Sequence, residues 1–225
     1  MKPLTIAIGV VALIAAVVIV VVLLGGGAAV TNILPGHSSQ PTPDFAFQTT
    51  KVLPISTVAT AKLVKLKPAA QTAAKAATTA LDVLYSNAFL APGNWQDGSY
   101  DDVWTSFDEK ASAAAQQDLE TLTAGTAAGD TYSDIQPSRG TVKISVLMDA
   151  KGQPQTVSAT VLFSANATKK AGGTTLLRSE AHYFLQRFGS AWKVVSFQVK
   201  RADVANAPAP STSRSAGASP SAAAS

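Results

Sequence analysis

The chain divides by the period of its hydrophobic positions. From Leu4 to Leu24 there is no period: LTIAIGVVALIAAVVIVVVLL carries no charge, and only Thr5 and the small Gly9 interrupt its apolar character. From Pro68, which suits the first turn of a helix, Ala73, Ala77, Leu81, Leu84 and Ala88 recur at spacings of three and four. Lys75, Thr79, Asp82 and Ser86 mark the opposite face, so the segment reads as one long amphipathic helix with an alanine-rich stripe. From Thr131 the period becomes two. Val142, Ile144, Val146 and Met148 alternate with Thr141, Lys143 and Ser145, and Val157, Ala159, Val161 and Phe163 repeat the pattern.

Turn chemistry joins these runs. Asp149-Ala150-Lys151-Gly152 closes a hairpin between strands Thr141–Asp149 and Gln155–Ala165. Gly189-Ser190, glycine first, fits a type II′ turn between Thr174–Phe188 and Ala191–Lys200. Thr131–Ile135 reads as a short edge strand stopped by Pro137. Between the long helix and the strands, Pro92-Gly93 breaks the first helix, and Ser99 with Asp102 resembles a capping box for a short second one. Asp108 caps a third, with Ala111, Ala115, Leu119 and Leu122 inside and Gly125 beyond its end. Trp95, Trp104 and Phe107 cluster around this turn, either as a ligand box or, the preferred reading, as a corner locking the short helix onto the first. The sum is helices first and an antiparallel meander after: α+β.

The apolar run has its own meaning. A helix over Leu4–Leu24 spans about 32 Å, enough for a hydrocarbon core of about 30 Å. Lys2 precedes it and no Lys or Arg follows until Lys51, so the positive-inside rule leaves a stub of residues 1–3 in the cytoplasm and exports the rest. A cleaved signal peptide is the rival, with small residues at Gly26-Gly27-Ala28, but a signal core usually holds about 7–15 residues. The chain then divides into a transmembrane helix (4–24), an extended linker rich in Pro, Ser and Thr (25–67), one domain (68–202) and an Ala/Ser/Pro tail without core-forming residues (203–225). Lys51, Lys62, Lys65 and Lys67 in the linker follow one another without an acid; a solvated edge is preferred over contact with an anionic surface.

Composition narrows the chemistry. Cysteine is absent, which removes disulfides, thiol nucleophiles, thiolate metal sites and a lipidated N-terminal cysteine. A net charge of +4 over 225 residues does not point to nucleic acid. The distribution says more. From Asp97 to Asp134 nine acids face one base, Lys110; from Arg139 to Arg201 ten bases face Asp149 and Glu180. The helical layer is expected to be acidic and the sheet basic. Such a dipole orients a domain on a partner or lets copies associate head to tail, and it also holds the two layers together.

The order long helix, short helix, helix, four long strands, ending in YFLQRFGSAWKVVSFQVKR, resembles the NTF2-like (cystatin-like α+β cone) superfamily over Pro68 to Ala202. With the N-terminal anchor, the chain is similar in layout to actinobacterial Mce-associated membrane proteins and to VirB8/TcpC-type subunits of conjugation machines. The resemblance implies three helices on a curved antiparallel sheet. Some members of the superfamily are enzymes with Asp and His inside the cone. Here His37 lies in the linker, and His182 shares a strand face with Arg178, Glu180 and Phe184, opposite the more apolar Leu177, Ala181, Tyr183 and Leu185. A Glu180–His182 acid/base couple is therefore a weak catalytic candidate, and a surface pair is preferred. Asp97 to Asp102 lacks the alternating acids of a calcium loop, so no metal or cofactor is expected. The expected function is non-enzymatic: an integral, N-in/C-out envelope protein that binds or scaffolds other envelope proteins, or copies of itself. The alternative is a small-ligand protein using a cone cavity lined by Tyr85, Trp104, Phe163 and Tyr183.

Overall fold

The computed structural model describes residues 40–57 and 63–206. The apolar run Leu4–Leu24, most of the predicted tail and His37 lie outside the described residues. Among the described residues no helix is long and apolar enough to cross a membrane.

The long helix α1 spans Leu63–Tyr85 and buries the predicted stripe: Ala73, Ala77, Leu81 and Leu84 are all inaccessible. It begins a full turn earlier than its proline implied, with Pro68 inside it. As the sixth residue, Pro68 lies past the first four unpaired N–H groups, so the helix forgoes one bond, to the Val64 carbonyl one turn back. At its far end a π-turn, Ser86–Leu90, inserts an extra residue and keeps Ala88, Phe89 and Leu90 all buried. Five short helices follow: α2 (Pro92–Trp95), α3 (Asp101–Trp104), α4 (Glu109–Gln117), α5 (Leu119–Leu122) and α6 (Ala128–Thr131). Asp108 caps α4 as expected, its carboxylate accepting the Ala111 N–H at 2.8 Å. Ser99 caps nothing: α3 starts after Tyr100, with no side-chain cap. The predicted third helix is interrupted at Asp118, dividing α4 from α5.

The sheet is mixed and runs β1-β2-β3-β4-β5. Strands β2 (Tyr132–Met148), β3 (Pro154–Lys169), β4 (Thr174–Phe188) and β5 (Ala191–Arg201) form the antiparallel meander. β1 (Gln48–Ser56) joins its edge parallel to β2, so the expected all-antiparallel sheet gains a parallel member. β1 lies inside the stretch read as linker 25–67. Pro54 made that stretch look like spacer, but an edge strand tolerates a residue without an N–H. Pro137 likewise fails to stop β2. It sits at a bulge, and β1 pairs with β2 only from Thr141 onward, so no neighbour on that side needs its N–H. A last strand, β6 (Val204–Asn206), pairs with Thr174–Leu176 and carries the domain past the expected boundary at 202.

Both hairpins form. Asp149 accepts the N–H groups of Lys151 and Gln153 at 2.8 Å, and Gly189, φ 62°, opens the two-residue turn between Phe188 and Ala191. Each strand turns alternate residues toward the helices. Val142, Ile144, Val146, Val157, Ala159, Val161, Leu177, Ala181, Tyr183 and Leu185 are buried there, while Arg178, Glu180, His182 and Phe184 face away. The small Ala face of α1 lets its backbone lie close against β1, β2, β3 and β5.

Candidate functional site

The outward face of the sheet carries the polar half of every alternation, and the strand register sorts it into rows. Lys51, Lys143, Thr160, His182 and Gln198 form one row, and Thr141, Leu162, Glu180 and Lys200 the next. Arg139, Ser164 and Arg178 form a third. His182 Nε2 lies 3.2 Å from Thr160 Oγ1 and 3.5 Å from Ser158 Oγ, and its ring packs on Phe184 at 5.7 Å. Glu180 and His182 share this face, as neighbours two residues apart, but no hydrogen bond joins them among the described residues. The imidazole is thus engaged with hydroxyls across the strand, and the carboxylate does not orient it. A shallow depression of about 170 Å³ holds both, with Lys200 and Gln198.

The other four sequence candidates lie on the opposite face. Tyr85, Phe163 and Tyr183 are buried. The Phe163 ring meets those of Tyr85 and Phe89 at 5.0 Å and Phe45 at 5.3 Å. The Tyr183 hydroxyl donates to that of Tyr85 at 3.3 Å, which in turn lies 3.1 Å from Ser179 Oγ. Burial pushes the Tyr85 hydroxyl up to about 12 and raises that of Tyr183 as well, so both stay neutral near pH 7. These side chains fill the interior and satisfy one another. Trp104 stands apart, partly buried, with Phe107 6.3 Å away; Phe107 bridges to Val194 of β5. The expected corner of Trp95, Trp104 and Phe107 on the first helix is replaced by a contact of Phe107, with Trp104 beside it, on β5, where Phe107 also meets Phe197 at 5.6 Å, and Trp104 lies apart from the other three aromatics.

Sequence reasoning passed over three features. Phe45 and Phe47, placed in the linker, seal the cluster from the open side of the sheet. Arg201, counted only as a base, crosses from β5 to the C-terminal end of α5. Arg139 lies beside the Pro137 bulge and joins Arg178 across Ser164, a placement that no local pattern announces.

A second titratable group sits where β1 meets α1. The Asp82 carboxylate, half-buried, accepts the Phe47 N–H at 2.7 Å beside the Thr49–Thr78 hydroxyl pair. Burial raises its carboxyl above the ordinary value, and the Phe47 hydrogen bond holds back part of the rise. The folded state therefore binds this proton more tightly than the unfolded one. The stability so gained is complete below the ordinary carboxylate value and is lost as pH rises through the raised folded value. Asp82→Asn keeps an acceptor for Phe47 and removes the titration. Wild type is expected to gain stability over the variant as pH falls through that window, in urea denaturation at a series of pH values. A difference that stays constant with pH refutes the assignment.

The charge division persists in three dimensions. Of the acids on the helical side, Asp108 caps α4 and Glu120 accepts from Thr126, while Asp101, Asp102, Glu109 and Asp118 carry no side-chain partner among the described residues. Among the described residues no group of three or more His, Asp and Glu is placed to hold a metal ion.

Fold and site together define an α+β domain with a mixed sheet, a filled interior and a polar, mainly basic outer sheet face. No protein-family model matches the chain, and no curated protein matches it in sequence.

Proposed function

We propose that this chain is a single-pass, N-in/C-out membrane protein whose NTF2-like domain stands outside the cytoplasm and serves, without enzymatic activity, as a binding or scaffolding component of an envelope complex. The observation that carries this reading is the contrast between the two sides of the sheet. The helix-facing side is occupied by its own aromatic rings, and the outward side offers unpaired charge. What the domain presents to other molecules is surface. The uncharged run Leu4–Leu24, with Lys2 before it, supplies the tether and its orientation. The long helix packed on a meander supports the NTF2-like assignment, with β1 as an addition to it. The packing of Tyr85, Phe163 and Tyr183 weighs against the cavity reading, and the unlinked Glu180 and His182 weigh against an enzyme.

Two measurements test the proposal. Alkaline phosphatase fused after residue 206 is expected to be active, and an inactive fusion removes the export assignment. A photo-crosslinker at an exposed sheet position such as Ser196 is expected to capture a defined envelope protein, or a second copy, from intact cells. Repeated recovery of uncrosslinked protein alone sinks the scaffolding role.

A further inference from the structure

A groove of about 710 Å³ opens on the outward sheet face, within the size range of small-molecule sites. Its walls bring together Arg139 of β2, Arg178 of β4 and Lys200 of β5. Arg139 and Arg178 are register partners of the same residue, Ser164 on β3, so their backbones flank it at about 10 Å from one another, two strand spacings. None of the three cationic side chains has a hydrogen bond or ion pair among the described residues. Glu180, the register partner of Lys200, makes no ion pair with it among the described residues. Between the arginines, the Ser138 and Ser164 hydroxyls lie 2.9 Å apart, with Ser138 Oγ also 3.2 Å from the Ser164 carbonyl; when the Ser138 proton goes to the Ser164 hydroxyl, the Ser164 proton is left to donate to a ligand. Leu162, 44% exposed, and Leu176 supply apolar wall.

Three cations share this recess with one carboxylate on its wall, Glu180, so positive charge is in excess there. The recess fits an anion that two guanidinium groups can grip from opposite sides, and tetrahedral phosphate oxygens match that fork geometry. The leucines and the lone Glu180 fit what is attached to it: Glu180 accepts from a hydroxyl and repels bare polyanions. We propose that this groove is a binding site for a phosphate ester carrying a hydroxylated or apolar arm, held by Arg139, Arg178, Lys200 and the Ser138–Ser164 pair, with Glu180 selecting the ester over the free anion. The site goes beyond the scaffolding role and stands on the sheet geometry alone. A failed crosslinking search removes that role and leaves this site in place.

The test uses the full chain in neutral-detergent micelles, with two arms that separate the sources of the ester. In the first, glycerol 3-phosphate is titrated and the heat of binding recorded. In the second, a fluorescent-tailed phosphatidylglycerol is added and energy transfer from the tryptophans is read against the phosphatidylcholine analogue. Binding in the first arm identifies a soluble ester, and binding in the second alone a lipid headgroup; either supports the site. Arg178→Glu and Arg139→Glu are each expected to weaken that binding about tenfold or more, and added salt to weaken it further. Glu180→Gln is expected to tighten it about threefold, since it removes a like charge near the anion, and to narrow the preference for ester over inorganic phosphate. All three side chains are exposed, so the variants keep the wild-type circular dichroism and melting profile. Binding in neither arm, or binding that survives both charge reversals, overturns the proposal. So does a result in which the reversals abolish only self-association, which assigns the face to the acidic helices of a second copy.

Discussion

Phe163→Ala is expected to cost about 3–5 kcal/mol of folding stability, a large share of an ordinary domain's margin of about 5–15 kcal/mol. The ring is the hub of the interior: Phe45, Tyr85 and Phe89 lie within 5.3 Å of its centroid, and Phe47 lies at 6.5 Å. Its neighbours belong to the segment before β1, to α1 and to the π-turn, so no single element can move inward to close the void. Urea denaturation of the full chain in neutral detergent, followed by circular dichroism, measures the loss. Phe163→Leu retains most of the apolar volume and is expected to lose about 1–2 kcal/mol. The alanine variant is also expected to loosen the segment ahead of β1, because Phe45 packs edge-on against this ring, and limited proteolysis there should accelerate. A loss below about 1 kcal/mol for the alanine variant shows that the interior repacks and that the cluster is not the centre of the fold.

Arg201→Ala is expected to cost about 3 kcal/mol, a large effect for a residue near the end of the described chain. The guanidinium donates to the carbonyls of Glu120 at 2.9 Å, Ala124 at 3.1 Å and Thr123, and pairs with Asp203 at 2.9 Å. It also lies 5.8 Å from the centre of the Phe89 ring. The last carbonyls of a helix have no internal partner, and here one arginine serves several at the end of α5. Thr123 and Ala124 are buried, so truncation takes the guanidinium donor from their oxygens, while the exposed Asp203 carboxylate keeps the Arg178 N–H. Arg201→Lys restores a single-point donor and is expected to recover less than half of the loss. Hydrogen exchange gives the local signature: amides of α5 and β6 are expected to lose protection well before those of β2 and β3. A lysine variant as stable as wild type refutes the forked arrangement.

These two residues show how unevenly the fold was legible. Phe163 was placed correctly on an inward face by alternation alone, yet its role as a hub depended on Phe45 and Phe47, which the prolines around them made look like spacer. Arg201 is invisible to local pattern, since its partners Glu120 and Thr123 lie 81 and 78 residues away. The same limit explains the short edge strand drawn at Thr131–Ile135. Pro137 is a sound stop signal for a strand with neighbours on both sides, and only the position of β1 shows that one side of β2 is open there. Ser99 failed as a cap for a smaller reason: the α3 turn starts one residue too late for its hydroxyl to reach.

Of the candidate site residues, Glu180 and His182 belong to the outward face by sequence alone, because a strand's two faces alternate by covalent geometry. Which outward residues become neighbours depends on register, and register depends on bulges and hairpin lengths distributed over more than sixty residues, from Arg139 to Lys200. The sequence by itself determined the uncharged N-terminal run, the switch from a period near 3.6 to a period of two, the buried stripe of α1, the cap at Asp108 and the turn at Gly189. Each of these follows from interactions within a few residues of chain. The tertiary structure alone decided the parallel seat of β1, the passage of β2 through Pro137, the forked bonds of Arg201 and the meeting of Arg139, Arg178 and Lys200, because each joins groups that only the packed sheet brings within reach.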